Sequence, residues 1–150
     1  MPYFVLRTEI LVPAPPERVW AELTDFASFP DWNPLVFEAK GPAEPGAHVK
    51  IRVPNLARPN QVVGITARIT RFEPARELSW IGSVPIVFSG EHYWSLRPAP
   101  GGTQLEHGER FDGLMPRLWG RRKLESFRPA YERLNVALVE RVRASPAARG

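Results

Sequence analysis

Cysteine is absent from this 150-residue chain, and only three histidines and two methionines are present. Without a thiol there can be no disulfide, no thiolate metal site and no cysteine nucleophile. No apolar run approaches the roughly 20 residues that a membrane-spanning helix needs. The opening MPYFVLRTEILVPAPP is interrupted by Arg7 and Glu9 and has no basic segment before its apolar residues, so it reads as a first strand rather than a secretory signal. A soluble, cytoplasmic chain is the expectation. Also missing are a nucleophile elbow, a phosphate-binding loop and a dinucleotide motif, and neither Ser89 nor Ser126 has a base partner at a recognised spacing. The common hydrolase, nucleotide-binding and dehydrogenase classes are therefore disfavoured, and no cofactor is implied.

What is present suits an ordinary globular domain: 43% hydrophobic and 24% charged residues. A chain of this length buries about 70% of its unfolded surface and needs no staple. One domain is expected over residues 1–143, with 144–150, ending in SPAARG, as a flexible tail. Net charge is +4 and the pI is about 10.0, with much of the excess in Arg117, Arg121, Arg122, Lys123, Arg128, Arg133, Arg141, Arg143 and Arg149. Such a cluster is either a patch for nucleic acid or anionic membrane, or a solvated helix face. No aromatic-interleaved RNA motif or zinc finger accompanies it, so the solvated face is preferred. No nucleic-acid partner and no stable membrane insertion are expected.

Along the chain, YFVLRTEILV alternates as a strand, with Phe4, Leu6, Thr8 and Ile10 on one face. PAPPERVWAELTDF reads as a helix with Pro16 in its first turn and a stripe of Val19, Trp20 and Leu23. ASFPDWNP follows as a helical turn and corner. There Phe29, Trp20 and Trp32 pack, while Asp25, Asp31 and Asn33 cap or turn the chain. Strands are then predicted around Leu35–Ala39, over HVKIRV, over residues 62–72 and around Leu78–Trp80, with NLARPNQ as a loop. SGEHYWSLRPAPGGTQLEHGERFDG forms a hairpin whose turn contains Pro98, Pro100, Gly101 and Gly102. From about Met115 to Arg143, Leu124, Phe127, Tyr131, Leu134, Leu138 and Val142 step by three or four, marking a long closing helix. Pro129 predicts a kink or break near Arg128.

The hairpin carries the most informative pattern. Alternation puts Phe88, Gly90, His92, Trp94 and Leu96 on one face of the first run. It puts Thr103, Leu105, His107, Glu109 and Phe111 on the matching face of the second. Pairing Leu96 with Thr103 would set His92 against His107 and Gly90 against Glu109. Two histidines and a glutamate on an apolar face need partners. They can form a satisfied network that closes the core, orient an oxygenated ligand, or act as acid–base groups. They could also hold zinc or iron, but His48 alternates to the outer face and no metal is assigned.

A strand, a helix, a helical turn, six strands and a long helix make an α+β chain. Its antiparallel sheet must be covered by the closing helix. This order, with APPERVWAELTDFASFPDWNP at 14–34, RFEPARELSW at 71–80, GEHYWSL at 90–96, GGTQLEHGERFDGL at 101–114 and the closing FRPAYERLNVALVERV, resembles the START-like helix-grip SRPBCC superfamily. The closest resemblance is to its bacterial polyketide cyclase/dehydrase and lipid-transport branch, over about residues 3–143. The resemblance implies a curved sheet of about seven strands wrapped around the C-terminal helix, with a cavity for a small hydrophobic ligand such as a lipid, polyketide or aromatic metabolite. Ile65, Trp80, Phe88, His92, Trp94, His107, Glu109, Phe111, Leu124, Phe127, Tyr131 and Leu134 are the expected ligand-facing residues. An enzyme of the cyclase or dehydratase type using His92, His107 and Glu109 is the alternative; an interaction module using the basic helix face is a second. The chain is expected as a monomer or homodimer. Two links, LARPNQ and GSVP at 82–85, are short where relatives border the cavity mouth.

Overall fold

The computed structural model describes residues 1–55 and 58–144. Its seven strands are β1 (Phe4–Val12), β2 (Glu38–Lys40), β3 (His48–Asn55), β4 (Arg58–Glu73), β5 (Glu77–Val84), β6 (Phe88–Ala99) and β7 (Gly102–Asp112). They form one antiparallel sheet in the order β1-β7-β6-β5-β4-β3-β2. Short links keep consecutive strands adjacent, and β1 returns to pair with the last strand. Register shifts at Pro54/Asn55 and between Ile69 and Arg71 bend β3–β5, because a bulge increases local twist. The sheet curves, and its concave face holds the core.

Alternation fixes which side chains enter that core. Leu6, Thr8 and Val12 of β1 are buried while Arg7 and Glu9 are exposed. On β6 and β7 the inward set is the one expected from the sequence, but the register differs by two residues: Leu96 faces Leu105, Trp94 faces His107, His92 faces Glu109 and Gly90 faces Phe111. The reason is the turn. Ala99 pairs with Gly102, so only Pro100 and Gly101 lie between the strands. Gly101 (φ 91°) and Gly102 (φ 148°) supply the positive φ that so tight a reversal needs. Another expectation also gives way: residues 58–61, read as loop, begin β4, while Leu56 and Ala57 lie outside the described residues.

Four helices lie on the concave side. Helix α1 (Pro16–Thr24) starts on Pro16, where a missing N–H leaves nothing unpaired, and buries Val19 and Leu23. Its Glu22 meets Arg18 at 2.8 Å and Arg141 at 3.0 Å, linking it to the last helix. A 3₁₀ turn (Phe26–Ser28) and the short α2 (Phe29–Trp32) make the corner. Phe29 packs there edge-on to Phe26 and Trp32, and Trp20 against Phe72. Asn33 Oδ1 turns the chain by accepting from the backbone of Leu35 and Val36. The Asp25 side chain makes no capping bond; its backbone carbonyl takes the Ser28 hydroxyl instead.

The closing helix is not one rod. Helix α3 (Leu114–Glu125) is kinked at Gly120 (φ 82°), and α4 (Arg128–Ala144) begins after a break at residues 126–127. The break falls where Pro129 predicts it, and the proline sits in the first turn of α4, where it costs no hydrogen bond. The apolar stripe Leu124, Phe127, Tyr131, Leu134, Leu138 and Val142 is buried throughout. No described helix is long and apolar enough to cross a membrane. Ala144 still belongs to α4, and residues 145–150 of the expected tail lie outside the described residues.

Candidate functional site

Between the sheet and α3 lies a cavity of about 620 Å³. Its walls come from β3–β5 (Ile51, Val53, Val63, Ile65, Trp80, Gly82, Val84), from the β5–β6 turn and the start of β6 (Val87, Phe88) and from α3 (Met115, Trp119). Besides the indoles of Trp80 and Trp119, the polar side chains that reach the wall are Asn55, His92, Glu109 and Tyr131, and among the described residues no lysine or arginine does. Of the twelve residues expected to face a ligand, Ile65, Trp80, Phe88, His92, Glu109 and Tyr131 line this space.

The others sit behind it. Trp94 and His107 are fully buried one layer deeper, their rings stacked 5.3 Å apart. Phe111 and Phe127 support the wall through Phe88 and Trp119 rather than forming it (Phe88–Phe111 6.2 Å, Trp119–Phe127 5.9 Å). Leu124, near the end of α3, and Leu134, on α4, are fully buried and do not line the cavity; α4 beyond its first turn packs directly on the sheet. Leu35, Ile51, Val53, Val63, Met115 and Trp119 were not anticipated. The alternation of Ile51, Val53, Val63 and Ile65 carried a signal, while Met115 and Trp119 depend on where α3 kinks. Phe127 borders a second, smaller cavity of about 350 Å³ beside Lys123 and Arg133.

The polar end is ordered by the sheet register. His92 and Glu109 are direct cross-strand neighbours, which places their Cβ atoms about 5 Å apart. The Tyr131 hydroxyl, on the first turn of α4, donates to Glu109 Oε1. Gly90 makes room for this carboxylate: a Cβ there would collide with Glu109 Oε2 and lie 3.1 Å from the Phe88 ring. Glu109 is exposed only in part, and towards the cavity. Burial raises its carboxyl to about 7, although the Tyr131 hydrogen bond pulls the other way. Tyr131 is held well above its usual range by burial and by the neighbouring Glu109.

The histidines form a chain leading away from the cavity. His92 Nε2 is 2.7 Å from His107 Nε2, and His107 Nδ1 is 2.7 Å from Asn135 Oδ1 on α4. Asn135 Nδ2 donates to Thr8 Oγ1 at 2.8 Å, and Thr8 Oγ1 donates to the His107 carbonyl at 2.6 Å. Asn135 was not singled out from the sequence, although it is a polar residue on the otherwise apolar face of α4. Burial lowers His107 to about 4 against the opposing Asn135 hydrogen bond. His92 is held well below its usual value by burial and then by His107. Both imidazoles are therefore neutral at neutral pH. Their facing nitrogens are hydrogen-bonded, too close to bracket an ion that needs about 2.0 Å on each side. Among the described residues no group of three potential ligands converges on a metal site.

Several members of the basic set are engaged within the protein. Arg117 pairs with Asp112, Arg121 stacks on Tyr3, Arg128 pairs with Glu125 and Arg141 with Glu22.

A family model described as polyketide cyclase / dehydrase and lipid transport matches residues 4–143. No curated protein matches the sequence. Among solved structures, a START superfamily protein from Mycobacterium smegmatis superposes with a TM-score of 0.77 at 17% identity, covering 95% of this chain and 99% of its own. A protein from Thermus thermophilus gives 0.74 at 21% identity, covering 95% and 99%. A protein in the dynemicin biosynthetic locus gives 0.71 at 16% identity, over 97% of this chain and 49% of its own. At these identities the likeness establishes the helix-grip fold.

Proposed function

The chain belongs to the polyketide cyclase / dehydrase and lipid transport family, and on that premise we propose that it binds one small, mainly apolar molecule between the sheet and α3. The observation that carries this reading is the cavity itself: about 620 Å³, within the range of small-molecule sites, greasy on most sides and polar at one end. Burying such a ligand is driven by the apolar area removed from water, while a few polar groups fix its orientation. Entry is supported at the rim where Val84, Ile86, Val87, Leu114 and Met115 are exposed. There the amides of Leu114 and Met115 on α3 donate to the carbonyls of Ile86 and Val87 (3.0 and 2.8 Å).

Native mass spectrometry of the purified protein tests the reading. A retained small molecule, or stoichiometric uptake of a neutral apolar probe, is expected; a protein that carries nothing and takes up nothing would refute it.

A second reading, cyclase or dehydratase chemistry, is favoured by one observation. Burial pushes the Glu109 carboxyl up to about 7 at the cavity wall, where it can both give and take a proton. In that reading Glu109 and His92 touch the substrate, and His107, one layer behind, acts only through His92. Glu109→Gln separates the two: an enzyme loses turnover and keeps its ligand, whereas a carrier changes in affinity alone.

A further inference from the structure

We propose that the polar end of the cavity selects an apolar ligand ending in a hydroxyl group, whose proton is accepted by His92 Nδ1, and that Thr8 and Asn135, which do not line the cavity, set this polarity. The inference rests on the binding reading above and names the class of molecule it takes.

It begins with Thr8. A backbone carbonyl can only accept, so the Thr8 hydroxyl proton is committed to the carbonyl of His107. Thr8 Oγ1 is then left with lone pairs, and the Asn135 atom facing it must be the NH₂ group. That turns Asn135 Oδ1 towards His107, whose Nδ1 must carry a proton to donate to it. In a neutral imidazole only one nitrogen is protonated, so His107 Nε2 is a bare lone pair. The short contact with His92 can then be a hydrogen bond only if His92 Nε2 carries the proton. His92 Nδ1 is thereby left as an acceptor, on a residue at the cavity wall, with no hydrogen-bond partner among the described residues.

The opposite partner is Glu109. Its Oε1 is taken by Tyr131, and Oε2 lies over Gly90. Below about pH 7 the carboxyl is protonated and offers a donor directly across the strand pair from the His92 acceptor. One hydroxyl satisfies both: it gives its proton to Nδ1 and receives one from Glu109. An ether leaves the His92 lone pair unsatisfied. A carboxylate or phosphate would meet that lone pair with no lysine or arginine among the described wall residues to balance it. Thr8 and Asn135 act as positioning residues.

Three matched neutral or anionic probes test this at about pH 6, where burial keeps Glu109 protonated: a naphthol, the corresponding methoxynaphthalene and the corresponding naphthoate. The naphthol is expected to bind at least roughly tenfold tighter than the ether, with the naphthoate weakest, since an unsatisfied buried acceptor is costly. Imidazole nitrogen chemical shifts should give a protonated Nε2 and a bare Nδ1 on His92. Asn135→Asp places a carboxylate beside His107, favours its imidazolium form and so forces the His92 proton onto Nδ1. The preference for naphthol over ether should then collapse or reverse. Thr8→Ser, which keeps the hydroxyl, should retain it. Equal binding of naphthol and ether, or a protonated Nδ1 on wild-type His92, would overturn the inference while leaving the binding reading intact. Failure of all three probes would overturn the binding reading and this inference with it.

Discussion

Tyr131 on α4 donates its hydroxyl proton to Glu109 on β7, so helix and sheet are joined at the polar end of the cavity. The bond also moderates the carboxyl: burial raises Glu109, and Tyr131 restrains that rise.

Tyr131→Phe removes the donor and leaves a buried carboxyl with one partner fewer. Stability should fall by about 1–2 kcal/mol, measured by urea unfolding. The Glu109 pKa should move above about 7, followed by carboxyl NMR titration. An unchanged titration would mean that the hydroxyl does not hold the carboxyl in solution.

The pH dependence has opposing limbs. Glu109 is raised from 4.5 to about 7, so its contribution is complete below about pH 4.5 and is lost as pH rises through 7. His107 is lowered from 6.5 to about 4, and His92 moves in the same direction. Their contributions are present above 6.5 and lost as pH falls, for His107 through about 4. Between these values the terms partly cancel. Glu109→Gln removes only the carboxylate limb, so from about pH 5 to 8 it should gain about 2–3 kcal/mol relative to wild type. Parallel stability curves for the two proteins would contradict the shift.

Gly90→Ala tests the close approach of the carboxylate. The added Cβ collides with Glu109 Oε2 and crowds Phe88, so about 1–3 kcal/mol of stability should be lost, and any bound probe should weaken. An alanine variant as stable as wild type would place Glu109 elsewhere.

Much of this site was legible because strand alternation is insensitive to an even slip. His92, His107 and Glu109 point inward whether Leu96 meets Thr103 or Leu105, and only the partners change. The pairs themselves were not legible. Pro98 and Gly102 look like turn residues, yet they are paired strand positions, and the reversal uses only Pro100 and Gly101. The buried stripe from Leu124 to Val142 followed from helical spacing, and the break near Arg128 from Pro129. The kink at Gly120 did not, since one glycine in a helical pattern is often tolerated. Which stripe residues reach the cavity depends on how closely α4 settles on the sheet, a packing outcome that periodicity cannot rank. Asn135 was missed because its meaning comes only from His107 and Thr8, neither of which is near it in sequence.

The most direct test of the account is to fill the hollow. Ile65 lines the cavity, and Ile65→Trp places a larger side chain in it without adding charge. A neutral fluorescent probe such as N-phenylnaphthylamine, titrated into both proteins alongside a Tm measurement, should bind wild type saturably at one site. It should bind the filled variant at least about tenfold more weakly, with the Tm unchanged or higher. Equal affinity for both proteins would mean that apolar molecules bind somewhere other than the space between the sheet and α3.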